Sequence, residues 1–265
     1  MKWLTVLTAI IIILTFSSIF AQEKPTGREI FDRSIDATRL AGVEATSTMT
    51  IIDSKGRERV RKIAQVTKLY DNGDTEKKLV RFLAPADVKG TGLLTYDYLK
   101  KDDDMWLYMP ALRKTRRIIS SEKAKNFMGS EFSYADMTPP NADDFDFKVL
   151  GEENVNGTDC WQLEIIPKND DIADENGFSK RISFIGKDDY VIRKAIYYDL
   201  DGSLYKELNV NKIVLLDPKN KKYRLMDLIM VNKQNDRKSI LKVDEIKFNP
   251  DVKDEYFTTR YLERE

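Results

Sequence analysis

The chain has no histidine and a single cysteine, Cys160, among its 265 residues. Without histidine there are no Ser–His or Cys–His nucleophile pairs, no imidazole general bases and no imidazole metal ligands. With one cysteine there is no intramolecular disulfide, and Cys160 reads as a small buried hydrophobe. An excess of charge is also missing, because 44 Lys and Arg balance 44 Asp and Glu. No global field therefore favours nucleic acid or an anionic membrane surface. Beyond the N-terminus no apolar run approaches membrane length, and no internal repeat, linker or low-complexity segment is present.

The N-terminus carries Lys2, an apolar run from Leu4 to Phe16 broken only by threonines, and a small residue at Ala21. This is the pattern of a secretory signal peptide cleaved near Ala21. A membrane anchor is the competing reading, but the run is short for the roughly 20 apolar residues of a bilayer span. Export without a disulfide framework fits a bacterial periplasm. The expected organisation is a signal peptide over residues 1–21 and one domain over residues 22–265.

Thr26 followed three residues later by Glu29 has capping-box spacing, and Ile30, Phe31, Ile35 and Leu40 recur near the helical period. The spacing predicts an amphipathic helix that ends before Gly42. From Val43 the pattern changes to strand-like runs separated by turn signals, among them Ser54-Lys55-Gly56-Arg57, Asp71-Asn72-Gly73-Asp74 and Asn156-Gly157. About eleven antiparallel strands are expected, too many for a flat sheet, so the sheet must curl or split. The expected class is mainly β, with a helix packed into a curved sheet.

Residues 90–137 are the densest in unusual side chains. An acidic turn, Asp102-Asp103-Asp104, follows the strand ending at Tyr98, and a basic run, Arg113, Lys114, Arg116 and Arg117, follows the break at Pro110. The triple aspartate reads as a solvated hairpin tip. The basic run reads either as an edge that resists aggregation or as a cationic rim for lipid headgroups or an acidic partner. Residues 120–140 combine Phe127, Met128, Phe132, Tyr134 and Met137 with Gly129, Pro139 and Pro140. They suit a fixed loop over the end of the core, or a mobile lid whose methionines and aromatics adapt to cargo.

In order, GTGLLTYDY, the acidic turn, WLYMPALRKTRRI and NFMGSEFSYADM resemble the central signature of periplasmic outer-membrane lipoprotein-sorting proteins of the LolA-like superfamily. The resemblance implies an incomplete β-barrel of the LolA/LolB type, with an N-terminal helix and a helical or loop lid over an acyl-chain cavity. It also implies a lid-locking arginine, for which Arg113, Arg116 and Arg117 are candidates by location.

The function implied is carriage of the acyl chains of lipoproteins or other lipids toward the outer membrane. The implied partner is an inner-membrane RND-type transporter or an outer-membrane acceptor, and neither nucleic acid nor a metal or other cofactor is expected. Candidates for the lining or cover are Trp106, Tyr108, Met109, Leu112, Phe127, Met128, Phe132, Tyr134, Met137 and Trp161. Strand alternation puts Trp106 and Tyr108 on one face and Leu107 and Met109 on the other, so not all of these can face inward. The alternative is a periplasmic sensor that binds lipid or lipoprotein without transporting it. An enzyme is not expected. Ser120 or Ser121 with Asp102, Asp103, Asp104, Glu122, Glu131 or Asp136 would need a lysine base, and no such pair has a supporting context.

Overall fold

The structure, a computed structural model, describes residues 24–99 and 101–264. The signal-peptide reading lies outside the described residues. The predicted helix forms as α1 (Gly27–Thr38). Its capping box is complete: the Thr26 amide donates to Glu29 Oε2 at 2.8 Å, and the Glu29 amide donates to Thr26 Oγ1 at 3.2 Å. Ile30 and Phe31 are its buried stripe. At Gly27 a Cβ would lie 2.9 Å from Phe147 Cβ, so the helix start can approach the sheet only because that position has no side chain.

Thirteen strands follow where about eleven were expected. The first six are β1 (Gly42–Ile52), β2 (Glu58–Tyr70), β3 (Thr75–Ala84), β4 (Gly92–Tyr98), β5 (Asp104–Met109) and β6 (Lys114–Arg117). The other seven are β7 (Phe145–Val155), β8 (Thr158–Pro167), β9 (Lys180–Gly186), β10 (Ile192–Tyr198), β11 (Leu204–Asp217), β12 (Lys222–Asn232) and β13 (Lys238–Phe248). Part of the difference is that the basic run, read from sequence as a strand edge or a cationic rim, pairs with β5 as a short edge strand.

Local chemistry sets the hairpins. Asp53 accepts the Lys55 and Arg57 amides in the first turn. Asn156 and Gly157, both at positive φ (50° and 85°), make the β7–β8 turn, the geometry that Asn-Gly favours.

The sheet runs β6-β5-β4-β3-β2-β1-β13-β12-β11-β10-β9-β8-β7. It is two antiparallel meanders joined where β1 pairs with β13, and it is not closed. Its free edges are β6 and β7, and the chain between them is residues 118–144. That segment must therefore cross the open side of the sheet. Side chains from β1 through β5 and from β8 through β12 meet in one buried cluster, so the sheet is curved around a common interior.

The outer face carries a second cluster. Leu79, Leu94 and Tyr108 pack there against Val252, Phe257 and Leu262 of the C-terminal segment, which ends in α2 (Thr259–Leu262). Arg81 fastens that segment by donating to the Tyr261 carbonyl at 2.9 Å and the Leu262 carbonyl at 3.2 Å. Among the described residues no helix is long and apolar enough to cross a membrane.

Candidate functional site

The concave face is built by alternation. Met49 and Ile51 of β1, Ile63 of β2, Val80 and Phe82 of β3, Leu93 of β4 and Met105 and Leu107 of β5 all point to the interior cluster. Residues 118–144 lie across this face and bring Ile118, Phe127, Phe132 and Tyr134 into the same cluster, with Met109, Met128 and Met137 packed against it. Phe127 is 1% exposed, and its ring centroid lies 5.7 Å from that of Phe82 and 5.5 Å from that of Tyr134. The crossing segment thus fills the apolar half of the concavity with its own side chains.

This lid is held to the sheet by polar contacts. Arg61 of β2, itself buried, donates to the Met128 carbonyl, and Lys78 of β3 donates to the Met137 carbonyl at 2.7 Å. Glu131 is 1% exposed and is gripped from three sides. Asn232 Nδ2 donates to its carboxylate at 2.9 Å, Arg237 Nε lies 2.9 Å from its other oxygen, and its amide donates to Ser239 Oγ at 2.9 Å. Arg237 also donates to the Gly129 carbonyl at 3.0 Å. At Met128 and Gly129 the backbone has positive φ, 49° and 75°, a tight reversal that turns Phe127 inward.

The residues predicted from sequence divide into three groups. Met109, Phe127, Met128, Phe132, Tyr134, Met137 and Trp161 are brought together in or against the interior cluster. Trp106 and Tyr108 are not with them. They belong to the outer cluster under the C-terminal segment, where the Trp106 ring lies 5.0 Å from that of Tyr96. This corrects their placement in the chamber: alternation that turns Leu107 inward turns its two neighbours outward. Leu112 is 64% exposed in the turn after β5, so it does not line the chamber either.

The basic run is engaged in its second half, while Arg113 and Lys114 are exposed. Arg116 pairs with Glu122 at 2.6 Å, and Arg117 pairs with Asp104. Arg113, an exposed residue with φ 46°, ends the turn before β6. None of the three carries a hydrogen bond to a lid backbone carbonyl like those of Arg61 and Arg237. Sequence reasoning missed Arg61, Arg237, Asn232 and Ser239, whose signal is only their long-range pairing. The carboxylates considered for catalysis have structural partners: Glu131 as above, and Asp136 through the Ser133 amide and hydroxyl at 2.7 and 2.9 Å.

Open space lies elsewhere. A cavity of about 630 Å³ opens at one end of the interior, between α1, the β2–β3 and β4–β5 turns and residues 139–143. At its inner wall Arg39 forms an ion pair with Asp97 at 3.2 Å, both nearly inaccessible. Burial pushes the Asp97 carboxyl up to about 7; the Asp103 charge adds to the rise and Arg39 opposes it. Burial likewise raises Asp103. A shallower hollow of about 370 Å³ lies between the sheet and Tyr256 and Tyr261 of the C-terminal segment.

Three solved structures are similar to this half-open antiparallel barrel over 89–90% of the chain. An outer membrane lipoprotein-sorting protein domain from Vibrio parahaemolyticus is 29% identical with a TM-score of 0.81, covering 90% of this chain and 98% of its own. A DUF1329 family protein from Desulfovibrio piger is 28% identical with a TM-score of 0.81, covering 89% of this chain and 97% of its own. A LolA superfamily protein from Nitrosomonas europaea, 18% identical with a TM-score of 0.67, covers 89% of this chain and 99% of its own, and shows the fold alone. Among functionally curated proteins no match is found. Through the match of residues 74–264 the chain belongs to the family described as "Uncharacterized protein", and its fold is LolA-like.

Proposed function

We propose that the protein is a periplasmic carrier that takes acyl chains of lipids or lipoproteins into the concave chamber and delivers them toward the outer membrane, loaded by an RND-type transporter. One observation carries the reading. The apolar concave face is occupied by Phe127, Phe132 and Tyr134 from a strap that is fastened by side chains of Arg61, Lys78, Asn232, Arg237 and Ser239 and not by pairing into the sheet. Such a strap stands in for cargo. Its aromatic side chains keep the concavity dry when empty, and an entering chain replaces them, recovering about 0.8 kcal/mol per methylene taken out of water.

Export to the periplasm is supported by the N-terminal pattern and by the relative from Vibrio parahaemolyticus, which is described as an outer membrane lipoprotein-sorting protein domain. No reacting pair of side chains is part of the reading: binding and release suffice. A transfer assay tests it. Vesicles carrying a quenched fluorescent acyl lipid or lipopeptide are mixed with acceptor vesicles, and the carrier reading expects transfer to accelerate in proportion to added protein. If the protein binds the lipid but never passes it on, the protein acts as a sensor instead.

A further inference from the structure

The tip of the strap is a closed loop. The Phe127 amide donates to the Phe132 carbonyl at 2.7 Å, and the Ser130 hydroxyl donates to the Phe127 carbonyl at 2.8 Å. Two rings that enter the apolar interior and one buried carboxylate, that of Glu131, thus belong to a single compact unit. Its composition is that of a fatty anion: an apolar body with a charged head.

The sheet supplies a socket for the carboxylate. Asn232 at the end of β12 and Ser239 at the start of β13 are both buried, and Arg237 stands in the turn between them. Directly across from Asn232 on β11 is Lys206, followed on the same inward row by Tyr197 of β10, Arg181 of β9 and Ile165 of β8. Lys206 is 5% exposed and forms no ion pair among the described residues; its ammonium lies 4.6 Å from the centre of the Tyr205 ring. Arg181 Nε and the hydroxyl of Ser183, which faces Leu163 and Ala195, are buried without a hydrogen-bond partner. Native interiors rarely leave such groups unpaired unless something else satisfies them.

The charge balance of this row is cationic. Its five positions hold two cations and no carboxylate. Acidic groups of the neighbouring segments are engaged elsewhere: Glu207 pairs with Lys233 at 3.3 Å, Asp227 lies 3.5 Å from Lys242, and Asp199 accepts Gln234 Nε2 at 2.6 Å. Asp236 is exposed in its turn. Asp136, whose charge acts on Tyr197, belongs to the strap. When the strap lifts, Arg237 loses Glu131, its only ion-pair partner among the described residues. An apolar chain alone would leave Arg237, Lys206 and Asn232 without an acceptor, which is costly in a dry interior. A chain that ends in anionic oxygen restores the contacts of the Glu131 carboxylate.

We propose that Glu131 holds the place of the anionic headgroup of an acyl lipid, and that Arg237, Asn232 and Lys206 receive that headgroup once the strap is displaced. The proposal rests on the carrier reading and adds to it a cargo class and a seat for the head, to which an arginine fork is suited.

The test titrates the chain from Gln22 onward with three ligands below their micelle concentrations: a monoacylglycerol phosphate, the neutral monoacylglycerol with the same chain, and glycerol phosphate with no chain. The proposal expects the acyl phosphate to bind about tenfold or more tighter than the neutral lipid. Arg237→Gln combined with Lys206→Gln should bring the two lipids within about twofold of each other. Glu131→Gln, which removes the competing carboxylate, should tighten both by about threefold or more and keep their ratio. Equal affinities in the unaltered chain would overturn the proposal whether or not any variant folds, and would leave the carrier reading standing. If neither lipid binds, both fall. An undiminished preference in the double variant would seat the head elsewhere and overturn the assignment. Glycerol phosphate binding as tightly as the acyl phosphate would make the site one for free phosphates and would overturn it as well.

Discussion

The Phe127 ring, carried by the strap, sits 5.7 Å from the Phe82 ring on the concave face of the sheet. This contact joins a segment that crosses the open side of the sheet to the wall it covers, and Arg61 reinforces it from both sides. The Arg61 guanidinium lies 5.6 Å over Phe82 and donates to the carbonyl of Met128.

Truncating the ring measures how firmly the strap is seated. Phe127→Ala should lower the unfolding free energy by about 3 to 5 kcal/mol, the usual range for emptying a fully buried aromatic site. Urea titration would show this as a lower midpoint at unchanged slope. A change under 1 kcal/mol would mean that the ring is not buried in solution.

Cutting the polar fastening should act locally. Arg61→Ala removes one hydrogen bond to the strap, so amide exchange at Phe127 and Ser130, whose N–H groups bond within the strap, should speed up about tenfold or more. Amides of β11 and β12 should keep their protection. Uniform acceleration across the sheet would mark Arg61 as a general stabiliser and not a strap fastener.

Trp106 separates the two faces. Because it packs under the C-terminal segment and not in the chamber, Trp106→Ala should loosen residues 252–264 to added protease while lipid uptake stays within about twofold of the parent chain. Lost lipid uptake with an intact C-terminus would contradict the placement.

The Asp97 carboxyl gives a pH dependence of definite sign. Its folded value of about 7 lies above the 3.8 of the free group, so the folded state binds the proton more tightly than the unfolded chain does. The resulting stability is fully present below about pH 4, declines as pH rises and is gone above about pH 7. It amounts to a few kcal/mol, on the order of 1.4 per pKa unit. Urea midpoints at several pH values between 4 and 8 should therefore fall more steeply in the parent chain than in Asp97→Asn. Parallel curves would show that this carboxyl does not titrate in that window.

What was legible in the sequence is what is local. Thr26 and Glu29 announced α1, and Asn156-Gly157 announced a hairpin, because capping and turn geometry involve residues a few positions apart. Alternation also showed that Trp106 and Tyr108 share a face. It did not show which face, because both sides of β3 to β5 are apolar: Leu79 and Leu94 face outward where Val80 and Leu93 face inward. Only the docking of the C-terminal segment decides between them. The strap's fastenings were invisible for the same reason. Arg61 and Met128 are 67 positions apart, and Glu131 and Asn232 are 101 apart. The basic run drew attention by its density, yet Arg116 and Arg117 are spent on Glu122 and Asp104.

The central claim is that the strap gives way to an acyl chain. It is tested most directly by native mass spectrometry of the chain from Gln22 onward, purified from a periplasmic fraction, beside the Arg61→Ala variant, with organic extraction of whatever is bound. The account predicts a mass excess of one acyl lipid or acylated peptide in a fraction of molecules, and a larger fraction when the strap is released. A clean apo mass in both, unchanged after incubation with lipids and lipopeptides, would contradict it.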